Sequence, residues 1–322
     1  MFIRALKTAI AATVLSAAAL SPSAAADKFP EQPVRLVVVY QAGGANDIVA
    51  RILAEHMSTT LDQSVMVLNR PGAAGAVGAQ FVVNSAADGH TILMGGAPLV
   101  VARALYNKPA VDFRESLDTV GKAVNLNLVL VARNEFPADS FEQLVEMEKK
   151  NPGDVTMAVT ASTYELYHAR INGLAGTDIL KVPYPGVPAA MNDLNGNRVD
   201  LLIDTVAAQQ PFLGKSTKPL AVFGRQRLES MPDVPTLSEL GLAGFDDQPY
   251  IGMLVPKGTP QPVIEKLNAS LNAALTDPGV KKKLEDLYFT VESSTPEAFY
   301  KEMEADSDKL FQVAEEAGIE KQ

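Results

Sequence analysis

One stretch of the chain decides the fold: Val34-Arg35-Leu36-Val37-Val38-Val39-Tyr40 followed by Gln41-Ala42-Gly43-Gly44-Ala45. The first seven residues are largely β-branched and show little alternation, which is typical of a strand buried on both faces of a parallel sheet. A Gly-rich turn follows, and residues 46–57 then carry apolar side chains at helical spacing. The stretch predicts a strand, a tight turn and a helix, which together form the repeating unit of an α/β fold.

The same unit recurs further along the chain. Strands are predicted at 65–68 and 91–94, with a Gly-rich helix start at 72–84 between them. A second block begins near Leu126, and three amphipathic helices are predicted near the C-terminus at 260–275, 278–287 and 296–317. In the second block we expect strands at 126–132, 155–159, 181–184, 201–203 and 220–223, and helices at 140–150, 163–174 and 191–194. The pattern predicts two α/β lobes with mostly parallel sheets, whose ligand sites lie at the carboxyl ends of strands.

The composition excludes several classes of function. The chain has 322 residues and no cysteine, which excludes disulfide scaffolds, cysteine-ligated zinc and thiol nucleophiles. Its 28 basic and 38 acidic residues leave a net charge of −10, which argues against a nucleic-acid partner. With 47% hydrophobic residues, the chain has the apolar content of a globular protein with a substantial core.

Residues 1–26 have the pattern of a signal peptide. Arg4 and Lys7 precede an apolar run at 9–20, and small residues at 23–26 suit a cleavage site before Asp27. A membrane anchor is the weaker alternative, because the run is shorter than the ~20 apolar residues of a transmembrane helix. Loss of Arg4 and Lys7 lowers the net charge from −10 to −12. We expect an exported, soluble, acidic mature protein.

Familiar catalytic and cofactor motifs are absent from the sequence. Gly72-x-x-Gly75-x-x-Gly78 lacks the spacing of a dinucleotide-binding turn, and the next predicted strand ends in Gly95-Gly96 without a ribose-binding acid. The three histidines are isolated, and no serine lies in a G-x-S-x-G motif. We therefore expect neither an enzyme, nor a metal site, nor a cofactor.

Two strand-to-helix junctions are the best candidates for a binding site. At 40–47 and again at 158–165, the free N–H groups of a helix start lie beside small residues, an arrangement that holds a carboxylate or phosphate without a cationic side chain. Each junction alone is also compatible with an ordinary short connection. Two of them, one in each lobe, favour a small anion held from both sides of a cleft.

A series of ordered motifs runs from about Phe29 to the C-terminal helices: Pro33-Val34-Arg35-Leu36-Val37-Val38, Gly43-Gly44-Ala45-Asn46-Asp47-Ile48-Val49-Ala50-Arg51, Asn69-Arg70-Pro71-Gly72-Ala73-Ala74-Gly75, Ala87-Asp88-Gly89-His90-Thr91-Ile92-Leu93-Met94-Gly95, Val182-Pro183-Tyr184, Val199-Asp200 and Met231-Pro232-Asp233-Val234-Pro235-Thr236. Together they closely resemble the Bug family, the periplasmic solute-binding proteins of tripartite tricarboxylate transporters.

The resemblance implies an α/β, periplasmic-binding-protein-like (type II) Venus flytrap with a ligand cleft between two lobes. We expect one lobe at 27–124 plus 226–322 and the other at 125–225. Family members hold a ligand carboxylate through backbone N–H groups and bridging waters, without a chemical step. They hand it to a membrane permease of one large and one small subunit. An alternative role is a co-receptor that presents its closed form to a sensor kinase.

The two junctions and the resemblance together predict the ligand-binding residues. The resemblance alone contributes the turn after the strand at 91–94, the tyrosine of the V-P-Y motif, an aspartate of the second lobe and a late aromatic position. The full set is Tyr40, Gly43, Gly44, Ala45, Asn46, Asp47, Gly95, Ala97, Thr160, Ser162, Thr163, Tyr164, Glu165, Tyr184, Asp204 and Tyr250.

The sequence departs from the family pattern at two positions of this set. Asn46 replaces a threonine of the first loop, and Glu165 places an acid where an anion is expected. Ser162 and Glu165 fit a capping box, in which Glu165 binds the Ser162 backbone N–H. Alternatively Glu165, together with Asp204, pairs with a positive group on the ligand. The ligand classes left open are di- or tricarboxylates, aromatic acids, amino acids and other zwitterionic or cationic solutes.

Overall fold

The apolar runs form the strands of two sheets in the part of the chain that the computed structural model describes, residues 28–242, 244–245, 248–316 and 321. The strands are β1 (Val34–Val38), β2 (Val65–Asn69), β3 (Thr91–Gly96), β4 (Leu117–Leu126), β5 (Leu128–Arg133), β6 (Thr156–Val159), β7 (Leu180–Pro183), β8 (Leu201–Thr205), β9 (Thr217–Val222), β10 (Tyr250–Pro256) and β11 (Phe289–Val291). The predicted signal peptide lies outside the described residues.

Helices connect most of these strands. They are α1 (Ala45–Thr60), α2 (Ala76–Val83), α3 (Ala97–Leu105), α4 (Phe113–Ser116), α5 (Phe141–Lys150), α6 (Ser162–Ala175), α7 (Val187–Asn195), α8 (Val206–Gln209), α9 (Gln261–Thr276), α10 (Pro278–Glu285) and α11 (Pro296–Glu316). Within the described ranges, no helix combines the length and apolar character needed to cross a membrane.

The first sheet has the strand order β11-β4-β10-β3-β1-β2. Strand β1 pairs parallel with β2 and β3, whereas β10 and β11 pair antiparallel with their neighbours. Leu36 and Val38 of β1 pack in one apolar cluster with α1 and α9, and Val37 between them packs on the opposite side with α2, α3 and α11. Strand β1 is therefore buried on both faces, as its unbroken apolar sequence predicts.

The second sheet has the order β7-β6-β8-β5-β9. Strand β6 pairs parallel with β7 and β8, and β5 pairs antiparallel with β8 and β9. Leu128 and Leu130 pack towards α5 and α6, while Val129 and Val131 pack towards α7. Both sheets are thus layered between helices, but they are mixed. The expectation of mostly parallel sheets is wrong, because β10 and β11 in the first sheet and β5 in the second run opposite to the other described strands, which makes five of the nine pairings antiparallel.

The chain crosses between the sheets at two places that lie side by side. One crossing is Asn127, the single residue between β4 and β5, and the other is the segment between β9 and β10. Gln248 Nε2 donates to Asn127 Oδ1 at 3.0 Å, and Leu126 N donates to Pro249 O at 2.7 Å. These bonds hold the two crossings together and bring the carboxyl ends of strands from both sheets to one cleft.

Candidate functional site

The first predicted junction joins β1 to α1. Gly44 is the N-cap of α1, and no described side chain caps that end of the helix. The first intrahelical bond runs from Ile48 N to Gly44 O at 3.0 Å, so the N–H groups of Ala45, Asn46 and Asp47 precede the helical ladder. These groups and the positive end of the helix dipole can receive an anion.

Hydrogen bonds to the side chain of Asp47 hold the loop of this junction in place. Its carboxylate, 3% exposed as a residue, accepts bonds from Gly43 N, from both Nε and a terminal nitrogen of Arg51, and from Asn69 Nδ2, each at 2.9 Å. Bonding to Arg51 is the main reason that the pKa of Asp47 falls to about 2. The carboxylate is therefore ionised and occupied by internal partners, which gives the loop a fixed shape.

The second predicted junction joins β6 to α6. Ala161 is the N-cap and Ser162 the first helical residue, again without a capping side chain among the described residues. Tyr164 N and Glu165 N both donate to Ala161 O, which leaves the N–H groups of Ser162 and Thr163 ahead of the ladder. Thr160 Oγ1 is buried and has no hydrogen-bond partner within the described structure.

The capping-box interpretation of Glu165 is wrong. Because the helix begins at Ser162, Ser162 and Glu165 are not the N-cap and N3 pair that a capping box requires. The carboxylate of Glu165 instead forms an ion pair and hydrogen bond with Nζ of Lys181 on β7. The charge of Glu165, the acid that departs from the family pattern, is thus balanced by Lys181.

A third helix start lies at Gly95-Gly96-Ala97, where β3 meets α3. The N-cap, Gly96, has φ +148° and no side-chain cap. A Cβ built on Gly96 would lie 2.2 Å from the carbonyl oxygen of Tyr250 on the neighbouring strand β10. Only glycine fits this position, and its presence lets Ala97 start α3 directly beside Tyr250.

Tyr164 of the second junction interacts electrostatically with Tyr40 of the first. Burial holds the pKa of Tyr164 well above its usual range, and the charges of Asp204, Tyr167 and Tyr40 raise it further. Tyr40 belongs to the first junction, whereas Tyr164 and Asp204 belong to the second sheet. Tyr40 remains 37% exposed, and desolvation raises its pKa to about 12.

Asp204 is the penultimate residue of β8 and is 3% exposed. Its carboxylate accepts bonds from Thr205 N at 2.7 Å and Gln209 Nε2 at 2.9 Å, yet burial outweighs both and raises the pKa of Asp204 to about 6. Since Ala158 pairs with Leu202, the parallel register places Thr160 level with Asp204. The second junction therefore has a carboxyl group behind it that titrates just below neutral pH.

A pocket spans the two halves of the molecule at this level. It brings the predicted residues Ala97, Thr163 and Tyr250 together, with one wall from α3, one from α6, one from the start of β10 and one from α11. Burial, followed by the charge of Asp306, holds the pKa of Tyr250 far above its usual range. The lining residues are Ala97, Val100, Thr163, Tyr167, Arg170, Gly244, Gln248, Pro249, Tyr250, Asp306, Lys309 and Leu310.

Sequence reasoning missed most of this lining, in particular Arg170, Gln248, Asp306 and Lys309. Thr163 and Arg170 lie seven residues apart and share one face of α6, so helical spacing is a local signal that connects a missed residue to a predicted one. The positions on α11 carry no motif at all.

Some of the predicted residues do not offer their side-chain polar group to the cleft. The hydroxyl of Tyr184 donates to Asp193 on α7 at 2.8 Å, and this bond contributes, after burial, to raising the pKa of Tyr184 to about 12. Its backbone still borders the second junction, since Tyr184 N donates to Val159 O. The side chain of Ser162 lies outside the described part of the structure. Direct ligand contact by the predicted set stays a prediction.

Two α/β halves around a pocket, with uncapped helix starts facing it, define the architecture of a periplasmic-type solute-binding protein. Residues 49–318 match the family described as "Tripartite tricarboxylate transporter family receptor", TctC, and the chain belongs to this family. A relative from Pseudomonas sp. (strain P51), encoded in the tcbD-tcbE intergenic region, is 38% identical over 281 residues, which covers 84% of this chain and 82% of the relative.

Solved structures agree with this assignment. The periplasmic binding protein BugD is 34% identical, with a TM-score of 0.80 over 91% of this chain and 100% of that chain. Rpa4515 of R. palustris, solved with adipate, is 28% identical with a TM-score of 0.84 over 91% and 100%. MatC from Rhodopseudomonas palustris, with bound malate, is 28% identical with a TM-score of 0.79 over 89% and 100%. The predicted Bug-family resemblance and fold class are confirmed, and the family is one of solute-binding receptors.

Proposed function

We propose that this protein binds a small dicarboxylate in the cleft between its sheets and delivers it to the two-subunit membrane permease of a tripartite transporter. In this proposal residues 1–26 direct export to the periplasm and are removed. The observation that carries the proposal is the pocket in which two uncapped helix starts, Ala97 of α3 and Thr163 of α6, meet from opposite sheets.

Backbone N–H groups explain how an acidic protein binds an anion. The chain has a net charge of −10, so its overall field does not attract a carboxylate. Hydrogen bonds from N–H groups to an ionised carboxylate are charge-assisted, and the helix dipole adds to them at short range. Ala45 and Asn46 of α1 supply the same kind of donors from the first junction.

The solved neighbours support the carboxylate class. Rpa4515 was solved with adipate and MatC with malate, both of which are dicarboxylates. Glu165 no longer favours a zwitterionic ligand, because Lys181 already balances its charge.

Ligand binding in this proposal closes two lobes, each built on one of the two sheets, about the paired crossings at Asn127 and Gln248. A ligand that contacts both sheets binds the closed form more tightly than the open form, and this difference in affinity is what shifts the population. The permease then recognises the closed surface.

A ligand panel tests the proposal. The chain from Asp27 onward is screened by thermal shift against dicarboxylates, monocarboxylates, amino acids and inorganic cations, and each hit is measured by calorimetry. A ligand present at 100 times its Kd raises the free energy of unfolding by about 2.7 kcal/mol. We expect the largest shift from a dicarboxylate. Stabilisation by amino acids or cations without any by dicarboxylates contradicts the proposed class.

A matched pair of threonine variants tests whether the second junction holds the ligand. Thr160→Val removes the unpartnered buried hydroxyl, so we expect ligand affinity to fall about 5-fold while stability is kept within about 0.5 kcal/mol. Thr156→Val removes a hydroxyl of β6, the strand that leads to the second junction, and this hydroxyl donates to Asp200 Oδ2 at 2.8 Å. That control should lose about 1–2 kcal/mol of stability and keep its ligand affinity. The reverse pattern contradicts a ligand role for the junction.

A further inference from the structure

We propose that the outer edge of the first sheet is the surface through which the protein docks on its membrane permease, and that it receives an extended, acidic segment of that permease. The edge surface consists of Arg35, Met66, Arg70, Val77 and Phe81, on β1, β2, α2 and the loop after β2. None of these residues is among the described lining of the ligand pocket. The inference rests on the proposed function and names where the partner binds.

Strand β2 is the last strand of the first sheet, so one of its sides has no neighbouring strand within the described structure. Arg70 N, just after β2, donates to Val38 O at 2.8 Å, so the even-numbered residues of β2 direct their backbone groups towards β1. The N–H and C=O groups of Val67 and Asn69 therefore face the open side. Edge strands are usually protected by charged side chains, but β2 has none. Such an edge can pair with a strand of another protein.

The face of β2 that carries α2 is apolar and open. Leu68 lies beside Val37 of β1, and both pack on the α2 side of the sheet. Met66, two residues earlier on β2, shares this face and is 49% exposed. Val77 of α2 is also 49% exposed, and Phe81 lies one helical turn further along. A contiguous exposed apolar patch of this kind marks an interaction surface.

Two exposed arginines border the apolar patch. The Cζ atoms of Arg70 and Arg35 lie 4.4 and 5.9 Å from the ring centroid of Phe81, in cation–π contacts. Nη2 of Arg35 also donates to Thr91 Oγ1 at 2.8 Å, and Arg35 lies beside Met66 in the strand register. Neither arginine forms an ion pair in the part of the chain that the structure describes. Their guanidinium groups can therefore receive carboxylates of a partner.

The sequence around the edge surface contains no acid. Residues 63–87 include neither Asp nor Glu, although 38 acids among 322 residues would place about three in a segment of this length. Arg70 is the one charged residue of that segment, in a chain whose net charge is −10. The complementary partner presents carboxylates beside apolar side chains.

The free backbone edge indicates that the partner is a protein strand, because a lipid surface offers no strand to pair with it. A second copy of this chain fits less well, since a symmetric pairing through β2 would bring two positively charged surfaces together. Under the proposed function, the partner that the protein must contact is the permease.

Transport measured beside ligand binding tests the inference. Radiolabelled malate is the probe, with adipate in its place if calorimetry shows that adipate binds the purified protein more tightly. Uptake is measured in the native host, whose gene for this protein carries Arg70→Glu or Met66→Glu. Each change places an acid against the acidic segment of the permease, so we expect uptake to fall about 10-fold or more. Ligand affinity of the purified variants should change less than about 2-fold, and their thermal stability should be kept.

Lys108→Glu and Leu174→Glu are the matched controls. Lys108 is an exposed cation in the loop after α3, and Leu174 is 51% exposed on α6, so each control repeats one substitution away from the edge surface. Both should keep uptake within about 2-fold of wild type. If Met66→Glu does not fold, Val77→Glu on α2 takes its place.

Unchanged uptake in the edge variants, or an equal loss in the controls, overturns the inference. So does a wild-type dimer in sedimentation that Arg70→Glu dissociates, because the edge then binds a second copy. Binding of the purified protein to phosphatidylglycerol vesicles that Arg70→Glu abolishes overturns it as well, in favour of a lipid surface. Deletion of the gene separates the two proposals, since uptake that does not depend on the protein, or a protein that binds neither probe, contradicts the proposed function itself.

Discussion

The two strand-to-helix junctions begin their helices in the same way but are supported very differently. At the first junction, Asp47 ties the loop to Arg51 and Asn69 through a buried carboxylate with four hydrogen bonds. At the second junction the hydroxyl of Thr160 has no partner among the described residues, and Glu165 pairs outwards with Lys181. The first loop is braced from within, whereas the second is not.

This difference separates two requirements of a binding protein. A rigid loop offers its N–H groups to a carboxylate without paying the entropy of ordering at the moment of binding. A loop with spare hydrogen-bonding capacity can adjust to different ligands, and the titratable Asp204 lies directly behind it. We therefore expect the first junction to set affinity for carboxylates in general and the second to set the choice among them.

Removing the brace should have the largest effect. Asp47→Asn replaces a carboxylate that accepts four bonds by an amide that cannot accept them all, and leaves Arg51 without its counterion. We expect a loss of about 3 kcal/mol in the free energy of unfolding, measured in urea, and a drop of about 100-fold in carboxylate affinity by calorimetry.

Asp62→Asn is the control for that variant, because Asp62 is an exposed acid just after α1 and the charge change is the same. It should alter stability by less than about 0.5 kcal/mol. An Asp47→Asn protein with wild-type affinity and stability would show that the first loop holds its shape without the brace.

Replacing Asp204, the acid behind the second junction, should change stability less than Asp47→Asn does, and in the opposite direction. The pKa of Asp204 is raised from 3.8 to about 6 by burial, so the folded state binds the proton more tightly than the unfolded state. The stability linked to this group is therefore greatest below about pH 4, falls as the pH rises to about 6, and is constant above that. At neutral pH the raised pKa costs about 3 kcal/mol.

Asp204→Asn should remove that cost while weakening the bonds from Thr205 and Gln209, for a net gain of about 1–2 kcal/mol at pH 7.5. Urea unfolding from pH 4 to 7.5 measures this gain in stability. The control is Asp154→Asn, because Asp154 is an exposed acid in the loop that precedes β6 of the same sheet. We also expect the variant to bind a dicarboxylate more tightly at pH 7.5, since a nearby negative charge is gone. Weaker binding there would mean that ionised Asp204 accepts a bond from the ligand.

Local patterns predicted the parts of the molecule that depend on local physics. The β-branched run of β1 and the small residues after it identify a buried strand and a helix start, because burial on both faces and a tight turn leave a direct record in neighbouring residues. The same holds for the junction at Thr160. The family resemblance added Asp204, whose burial and raised pKa no local pattern reveals.

The parts that were missed depend on contacts between distant segments. Strand β4 contains Lys122, which breaks its apolar pattern yet is 3% exposed, because Glu292 and Glu302 pair with it from the C-terminal part of the chain. Arg170 and Lys309 meet only because α6 and α11 pack at the same pocket. The nearby Ser162 suggests a capping box for Glu165, whereas the partner of Glu165 in the fold is Lys181 on β7.

The smallest effect is expected from Glu165→Gln, at the second junction. Glu165 and Lys181 are partly exposed, with 24% and 41% of their side-chain surfaces accessible, and such pairs contribute about 0–1 kcal/mol. We expect stability to change by less than about 1 kcal/mol and dicarboxylate affinity by less than 3-fold, measured by urea unfolding and calorimetry. A double-mutant cycle with Lys181→Gln isolates the energy of the pair. The opposite result is a large loss of amino-acid binding in Glu165→Gln with dicarboxylate binding unchanged. It would show that Glu165 contacts a positively charged group of the ligand and that the second junction selects zwitterionic ligands.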